Sequence, residues 1–143
     1  MTVIAWDGKS LCADKRGVAN GWKFTITKIF KIEEGLVGID GNADIGIQLI
    51  EWFKEGANPK DYPEVQKNDD RYAHMLLITP EKKILKYERQ PYPILIEEPF
   101  CASGCGRDFA LAALSLGKSS REAVELASRF DTGCGNGIDE LFL

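Results

Sequence analysis

The period of the apolar residues changes several times along this chain, and the order of those changes limits the folds open to it. Residues 2–6 (TVIAW) and 10–14 (SLCAD) are short β-prone runs joined by Asp7-Gly8-Lys9, and an Asp-Gly between such runs predicts a hairpin. Residues 24–32 (FTITKIFKI) alternate and are β-branched. Glu33-Glu34-Gly35 reads as a turn and Leu36–Ile39 as a buried strand, so the first 40 residues read as a β-meander. The period then becomes helical: Ile45, Leu49, Ile50 and Phe53 share a face, and Gly56, Asn58 and Pro59 stop that helix. Residues 57–71 are polar and aperiodic and read as a surface loop. Strands over 74–79 and 83–88 flank a Pro80-Glu81-Lys82 turn, and a proline-rich stretch, Pro91 to Pro99, leads to a short strand near Cys101. Helices are predicted over 107–116 and from Ser119, where Glu122 completes a capping box and Ala123, Val124, Leu126, Ala127 and Phe130 face inward. A glycine-rich turn, Asp131 to Gly137, precedes a last strand over 138–143. Blocks of strands and blocks of helices argue for a layered α+β domain with antiparallel sheets rather than alternating β-α-β units.

At 143 residues, 44% hydrophobic and 28% charged, the chain is expected to be one globular domain, 1–143. A net charge of −4 without a basic patch argues against nucleic-acid binding. No apolar run reaches a membrane span, and the first residues lack the pattern of a signal peptide, so the expected location is the cytoplasm. Cys12, Cys101, Cys105 and Cys134 include no CxxC pair, and His74 is the one histidine. That spacing disfavours a structural zinc site and favours free thiols.

Thr2 is the first residue with a chemical reading. Methionine is generally trimmed before a small residue, and a new N-terminal threonine carries a hydroxyl and a free amine together. With a pKa near 8 the amine is partly neutral and can accept the hydroxyl proton. The bland reading is that threonine follows methionine in many proteins for no chemical reason. A hairpin folds Asp14 back toward Thr2. Lys28 interrupts an apolar alternation and can place a positive charge near the hydroxyl, with Asp14 holding the ammonium; the alternative is an exposed strand face, with Lys23 and Lys31 as competitors.

Thr2-Val3-Ile4-Ala5, Ala13-Asp14, Thr27-Lys28-Ile29 and the run Gly38-Ile39-Asp40-Gly41-Asn42-Ala43-Asp44 resemble, in order, the proteasome β-subunit and HslV-type peptidases. Ser103-Gly104-Cys105-Gly106-Arg107-Asp108-Phe109-Ala110 is similar to that family's Gly-Ser-Gly turn before an alanine-rich helix, and Arg129 to Gly135 to its late Asp-x-x-Ser-Gly turn. The resemblance implies a four-layer αββα sandwich of the Ntn-hydrolase kind. It also implies a threonine peptidase with Thr2 as nucleophile and its amine as base, Asp14 and Lys28 tuning it, the Gly41 N–H as oxyanion donor and Asp131 supporting the amine. The helix from Ala43 is expected on one outer side with the helices near 107–116 and 120–130.

Two positions depart from the family pattern. Aligning on Phe109-Ala110 puts Cys105 at the usual serine, whereas aligning on Ser-Gly picks Ser103. Cys134 takes the place of the late serine, and cysteine is the weaker hydrogen-bond partner. By resemblance, the carbonyls of Asp131, Cys134 and Gly137 would bind a monovalent cation such as Na+. The substrate would be peptide or unfolded polypeptide, its pocket lined by Ile26, Ile39 and Ala43 with Asp40 nearby. The particle would be a homo-oligomeric ring, fed by an ATP-driven unfoldase in some members. Trp52, Phe53, Phe142, Leu143 and the segment with Tyr92, Ile94, Leu95 and Ile96 are expected to supply its apolar contacts, the alternative for the short apolar C-terminus being that it completes the sheet. The short chain resembles a compact prokaryotic or phage-like form.

While Met1 is attached, the Thr2 nitrogen is an amide and cannot act as base, so a catalytically silent assembly protein is the first alternative. An Ntn hydrolase of a small amide is the second. A nucleotide site at Gly104-Cys105-Gly106 lacks a third glycine and the Gly-Lys-Ser/Thr run, and a Cys-His protease using His74 has no marked partner.

Overall fold

The computed structural model describes residues 1–67 and 70–143. The strands are β1 (Ile4–Trp6), β2 (Ser10–Asp14), β3 (Arg16–Ala19), β4 (Trp22–Thr25), β5 (Ile29–Ile32), β6 (Gly35–Gly41), β7 (Ala73–Ile78), β8 (Ile84–Tyr87), β9 (Ile94–Ile96), β10 (Cys101–Ser103) and β11 (Ile138–Phe142). The helices are α1 (Ala43–Lys54), α2 (Arg107–Ser115) and α3 (Ser120–Phe130).

Two antiparallel sheets form, in the orders β10-β1-β2-β11 and β5-β6-β7-β8-β9, with β3 and β4 as a separate hairpin. Side-chain alternation along the strands builds three cores between four layers. Ile4, Trp6, Leu11 and Ala13 of the first sheet meet Ile29, Leu36, Leu76, Ile78 and Ile84 of the second. The opposite face of β1 and β2, with Val3, Ala5 and Cys12, packs on Ala110, Ala113, Ala123, Val124 and Ala127 of α2 and α3. The outer face of the second sheet, with Val37, Ile39, Met75 and Leu77, packs on Ile45, Leu49 and Trp52 of α1. Small alanines on α2 and α3 let those helices approach closely, and each large side chain buried in such a core contributes about 1.5–3 kcal/mol.

The αββα sandwich is as expected, but the placement of α1 is not. It covers the face opposite to α2 and α3, because the even and odd positions of β6 and β7 each need a cover. The run 24–32 is not one strand. Ile26 to Lys28 lie between β4 and β5, and β4 pairs back on β3 through a turn at Asn20-Gly21, both with positive φ (50° and 77°). The proline-rich stretch contains β9, an edge strand on β8. The polar segment 57–71 is more than a surface loop. It holds short 3-10 turns over Pro59–Asp61 and Glu64–Lys67, and Gln66 is fully buried, accepting from the Ala73 N–H and donating to the Ala73 and Glu88 carbonyls. Residues 68 and 69 of that segment lie outside the described residues.

Trp52, expected on the surface, is buried. Its indole N–H donates to the Asn58 carbonyl at 2.8 Å and its ring packs edge-on against Tyr62 and Tyr87. Phe53 is half-buried beside it. Phe130, expected inward, is exposed at the end of α3 and stacks on Phe109. The capping box at the start of α3 is present, with Ser119 Oγ accepting from the Glu122 N–H and Glu122 accepting from the Ser119 N–H. Among the described residues no helix is long and apolar enough to cross a membrane.

Candidate active site

The β1–β2 register sets Ile4 opposite Ala13, so Val3 and Asp14 close the pair beyond it: the Val3 N–H donates to Asp14 Oδ1 and the Asp14 N–H to the Val3 carbonyl. Thr2 lies just before the start of this central strand and is buried. Asp14 is fully buried and all of its bonding is internal. Oδ1 also accepts from Lys28 Nζ at 2.8 Å, and Oδ2 accepts from the Arg16 and Gly135 N–H groups. One carboxylate thereby ties the first strand, the entry to β5 and the late turn.

Lys28, not Lys23 or Lys31, reaches this point. Its ammonium is buried, bonded to Asp14 and, at 3.0 Å, to the Met1 carbonyl. The Thr2 hydroxyl donates to the same Met1 carbonyl at 2.7 Å. Hydroxyl and ammonium are therefore both within hydrogen-bond reach of one oxygen that belongs to the residue expected to be removed. Lys31 sits on an exposed face near the Phe142 carbonyl, and Lys23 is exposed.

The Thr2 N–H donates to Cys105 Sγ at 3.2 Å, so of the two residues weighed for that turn it is Cys105 that touches Thr2. Ser103 instead donates to Asp40 Oδ2, and Asp40 Oδ1 contacts His74 Nδ1 at 3.0 Å. Gly104 lies between them at φ 92°, where a side chain would run into the Thr2 carbonyl. Cys105 Sγ is 3.9 Å from Cys134 Sγ. Asp131 caps the end of α3, and among the described residues its carboxylate accepts from the Gly133 N–H rather than from Thr2. It does reach the cysteine pair, since the ligand atoms of Cys105, Asp131 and Cys134 lie within 4.8 Å of one another. Gly137 ends the same turn at φ 105°. The Asp131 carbonyl accepts from the Cys134 N–H.

Gly41 ends β6 with φ 89°, and a Cβ there would sit 2.6 Å from the Tyr72 carbonyl oxygen. Asn42 follows as the N-cap of α1, so this backbone lies at the positive end of a helix. Gly41 and Thr2 both line two clefts. The larger, of about 630 Å³, is polar, with Asp40, His74, Lys86, Ser103 and Arg107 on its walls. The smaller, of about 250 Å³, is walled by Ile26, Ile39, Ala43 and Phe24. The three apolar residues singled out in the sequence thus share one cavity with Thr2. Gly17, Val18, Ala19 and Phe24 of its wall come from the β3–β4 hairpin, and Lys28, Asp40 and Asp44 add charge to it. The Asn20-Gly21 dipeptide is a strong signal for that hairpin, and it is the signal that the reading of 24–32 as a single strand passes over. Arg16 was also missed; it clamps the late turn through the Thr132 carbonyl and Asn136 Oδ1.

All four cysteines are free thiols. Burial pushes Cys12 up to about 11 and Cys101 up to about 12, and it raises Cys134 as well, helped by the nearby Asp14 carboxylate. A raised thiol pKa means less thiolate at a given pH, so these three are poor nucleophiles below pH 9. Cys105 is exposed. Iodoacetamide at pH 8 will alkylate Cys105 first in the native protein, read by peptide mass mapping; faster labelling of Cys12 or Cys101 would contradict the packing described.

No protein-family model matches the chain, and no curated protein matches it in sequence. Solved structures do match. A structure of Thiobacillus denitrificans BPH in complex with epoxomicin superposes with a TM-score of 0.77 at 18% identity, over 100% of this chain and 98% of that one. HslV from Trypanosoma brucei superposes with a TM-score of 0.72 at 18% identity, over 98% of this chain and 97% of that one. This is the HslV-type, proteasome-like fold. It accounts for the paired sheets and the split of the helices to opposite sides; Thr2, just before the start of β1, lines both clefts.

Proposed function

We propose that this chain is an N-terminal threonine peptidase whose nucleophile is Thr2 once Met1 has been removed. The observation that carries this reading is the buried Lys28–Asp14 pair, set so that its ammonium and the Thr2 hydroxyl converge on the Met1 carbonyl oxygen. With that oxygen gone, the Thr2 oxygen is the natural acceptor for the ammonium, which favours the alkoxide. The freed amine beside Cys105 takes the hydroxyl proton, and the Gly41 N–H at the mouth of α1 stabilises the developing oxyanion. Cys105, Cys134 and Asp131 then support the amine. A monovalent cation on the carbonyls of Asp131, Cys134 and Gly137 remains part of the proposal; hard carbonyl oxygens suit such an ion.

While Met1 stays, the same contacts favour a silent state, because the amide has no basic lone pair and the Met1 carbonyl holds both hydroxyl and ammonium. The test compares protein that begins at Thr2 with protein that keeps Met1, both checked by intact mass, on a panel of fluorogenic peptides and for epoxomicin binding, the ligand of the BPH structure. Hydrolysis and epoxomicin binding are expected only from the first. Peptides with an aliphatic or aromatic residue before the cleaved bond will be preferred, since Ile26, Ile39 and Ala43 can desolvate it. Exclusive cleavage after acidic residues, or hydrolysis by the Met1-bearing form, is the contrary result.

The peptidase is proposed to act in the cytoplasm on peptide or unfolded polypeptide, as a homo-oligomeric ring that an ATP-driven unfoldase can feed. Support for the ring comes from the fold and from apolar side chains left uncovered: Tyr92 before the edge strand β9, Ile94 and Leu95 within it, Phe142 at the end of β11 and Leu143 after it. Sedimentation at micromolar concentration will give a multiple of 15.9 kDa, and a mass near one chain would sink the ring.

A further inference from the structure

We propose that the side chains of Cys105, Cys134 and Asp131, joined by the Thr2 nitrogen after Met1 removal, form a site for a thiophilic divalent cation such as Zn2+, and that its occupation switches the hydrolase off. The switch rests on the threonine-peptidase reading; the site itself does not. The two sulfurs stand 3.9 Å apart, and the three side-chain ligand atoms lie within 4.8 Å of one another. In a tetrahedral zinc site with Zn–S bonds of about 2.3 Å, neighbouring sulfurs are separated by about 3.8 Å. The pair is therefore already at ligand spacing. The Thr2 nitrogen, 3.2 Å from Cys105 Sγ, is close enough to complete a four-ligand set.

The donor chemistry selects the metal. Two thiolates, a carboxylate and an amine suit zinc or its soft relatives, whereas calcium and magnesium demand oxygen. This distinguishes the site from any hard-cation position on the backbone carbonyls of the same turn. Cys105 lies on the wall of the larger cleft and is exposed, which provides an entry path, while Cys134 is buried behind it. The Asp131 carboxylate beside the two sulfurs gives the site a negative field that attracts a cation. Binding releases the thiol protons to solvent. As long as Met1 is attached, the Thr2 nitrogen is an amide without a lone pair for a metal. Once it is an amine, the metal and the hydroxyl proton compete for one lone pair, and a bound metal removes the base. Linear spacing concealed the site, because the two cysteines are brought together from different turns across the α2–α3 pair.

The probe is Co2+, titrated under a phosphine reductant into protein beginning at Thr2. The expected result is one equivalent bound, with thiolate-to-cobalt charge transfer in the near ultraviolet and intense tetrahedral visible bands, all displaced by Zn2+. Cys105→Ser and Cys134→Ser each weaken binding by roughly 100-fold or more, beyond the 10–100-fold that outer-shell changes cost. Cys101→Ser does not. Because Cys105 is exposed, its variant reads the site even where Cys134→Ser folds poorly. The Met1-bearing form binds more weakly, and Zn2+ inhibition of peptide hydrolysis is reversed by a chelator. No charge-transfer band, or one that survives both Cys105→Ser and Cys134→Ser, overturns the site. So does finding no metal binding together with loss of two titratable thiols under a peroxide, which makes the pair a disulfide couple instead. A full cobalt spectrum in a protein that hydrolyses nothing upholds the site and sinks the peptidase reading alone.

Discussion

Thr2→Ala will abolish peptide hydrolysis in protein from which Met1 has been removed. The variant keeps a free α-amine but has no hydroxyl to form the covalent intermediate. The expected loss is several orders of magnitude in turnover, on the order of 5 kcal/mol or more of transition-state stabilisation. Stability will change little, by about 1 kcal/mol or less, because the Lys28 ammonium keeps its bond to Asp14 when the hydroxyl is removed. Lys28→Ala will cost nearly as much activity by removing the ammonium. Turnover is measured on a fluorogenic peptide and folding by urea denaturation of the same preparation. Wild-type turnover in processed Thr2→Ala would disprove the mechanism.

Asp14→Ala will act on folding as well as on activity. The carboxylate accepts four hydrogen bonds, from the N–H groups of Val3, Arg16 and Gly135 and from Lys28 Nζ, and it is fully buried. Removing one partner of a buried ion pair leaves an uncompensated charge and costs about 3–5 kcal/mol. The orphaned N–H groups add to this. The diagnostic comparison is the double variant Asp14→Ala with Lys28→Met. It will be more stable than Asp14→Ala alone, because the stranded ammonium has gone, though both lack activity. An Asp14→Ala protein with the urea midpoint of the wild type would mean that the pair is not buried as described.

The sequence made the Thr2–Asp14–Lys28 core legible because local rules govern it. An Asp-Gly turn sets the hairpin register, and the register alone brings residues 3 and 14 together. The relay Ser103–Asp40–His74 was not legible. Asp40 faces His74 through β6–β7 pairing across 34 positions, and Ser103 arrives from the other sheet. Nothing in either stretch of sequence encodes that meeting. Trp52 and Gln66 mark a different limit. The segment after α1 reads as surface from its polar composition, but Gln66 satisfies buried backbone groups, and the segment covers Trp52. Phe130 follows the inward phase of α3, yet it lies at the helix end, where the sheet no longer provides cover. The late turn showed its residues but not their mutual approach, which depends on Arg16 holding it down.

The position of β1 has a consequence for timing. It is flanked on both sides by β2 and β10, and Thr2 and Val3 are buried at its start, so the beginning of the chain is held as firmly as the core. A methionine-removing enzyme needs the residues after the scissile bond drawn out into its own groove. Here that would require breaking the Val3–Asp14 bonds and uncovering Lys28. The activation proposed above therefore requires trimming of the nascent chain, before the first hairpin closes, and a molecule that folds with its initiator in place is expected to keep it.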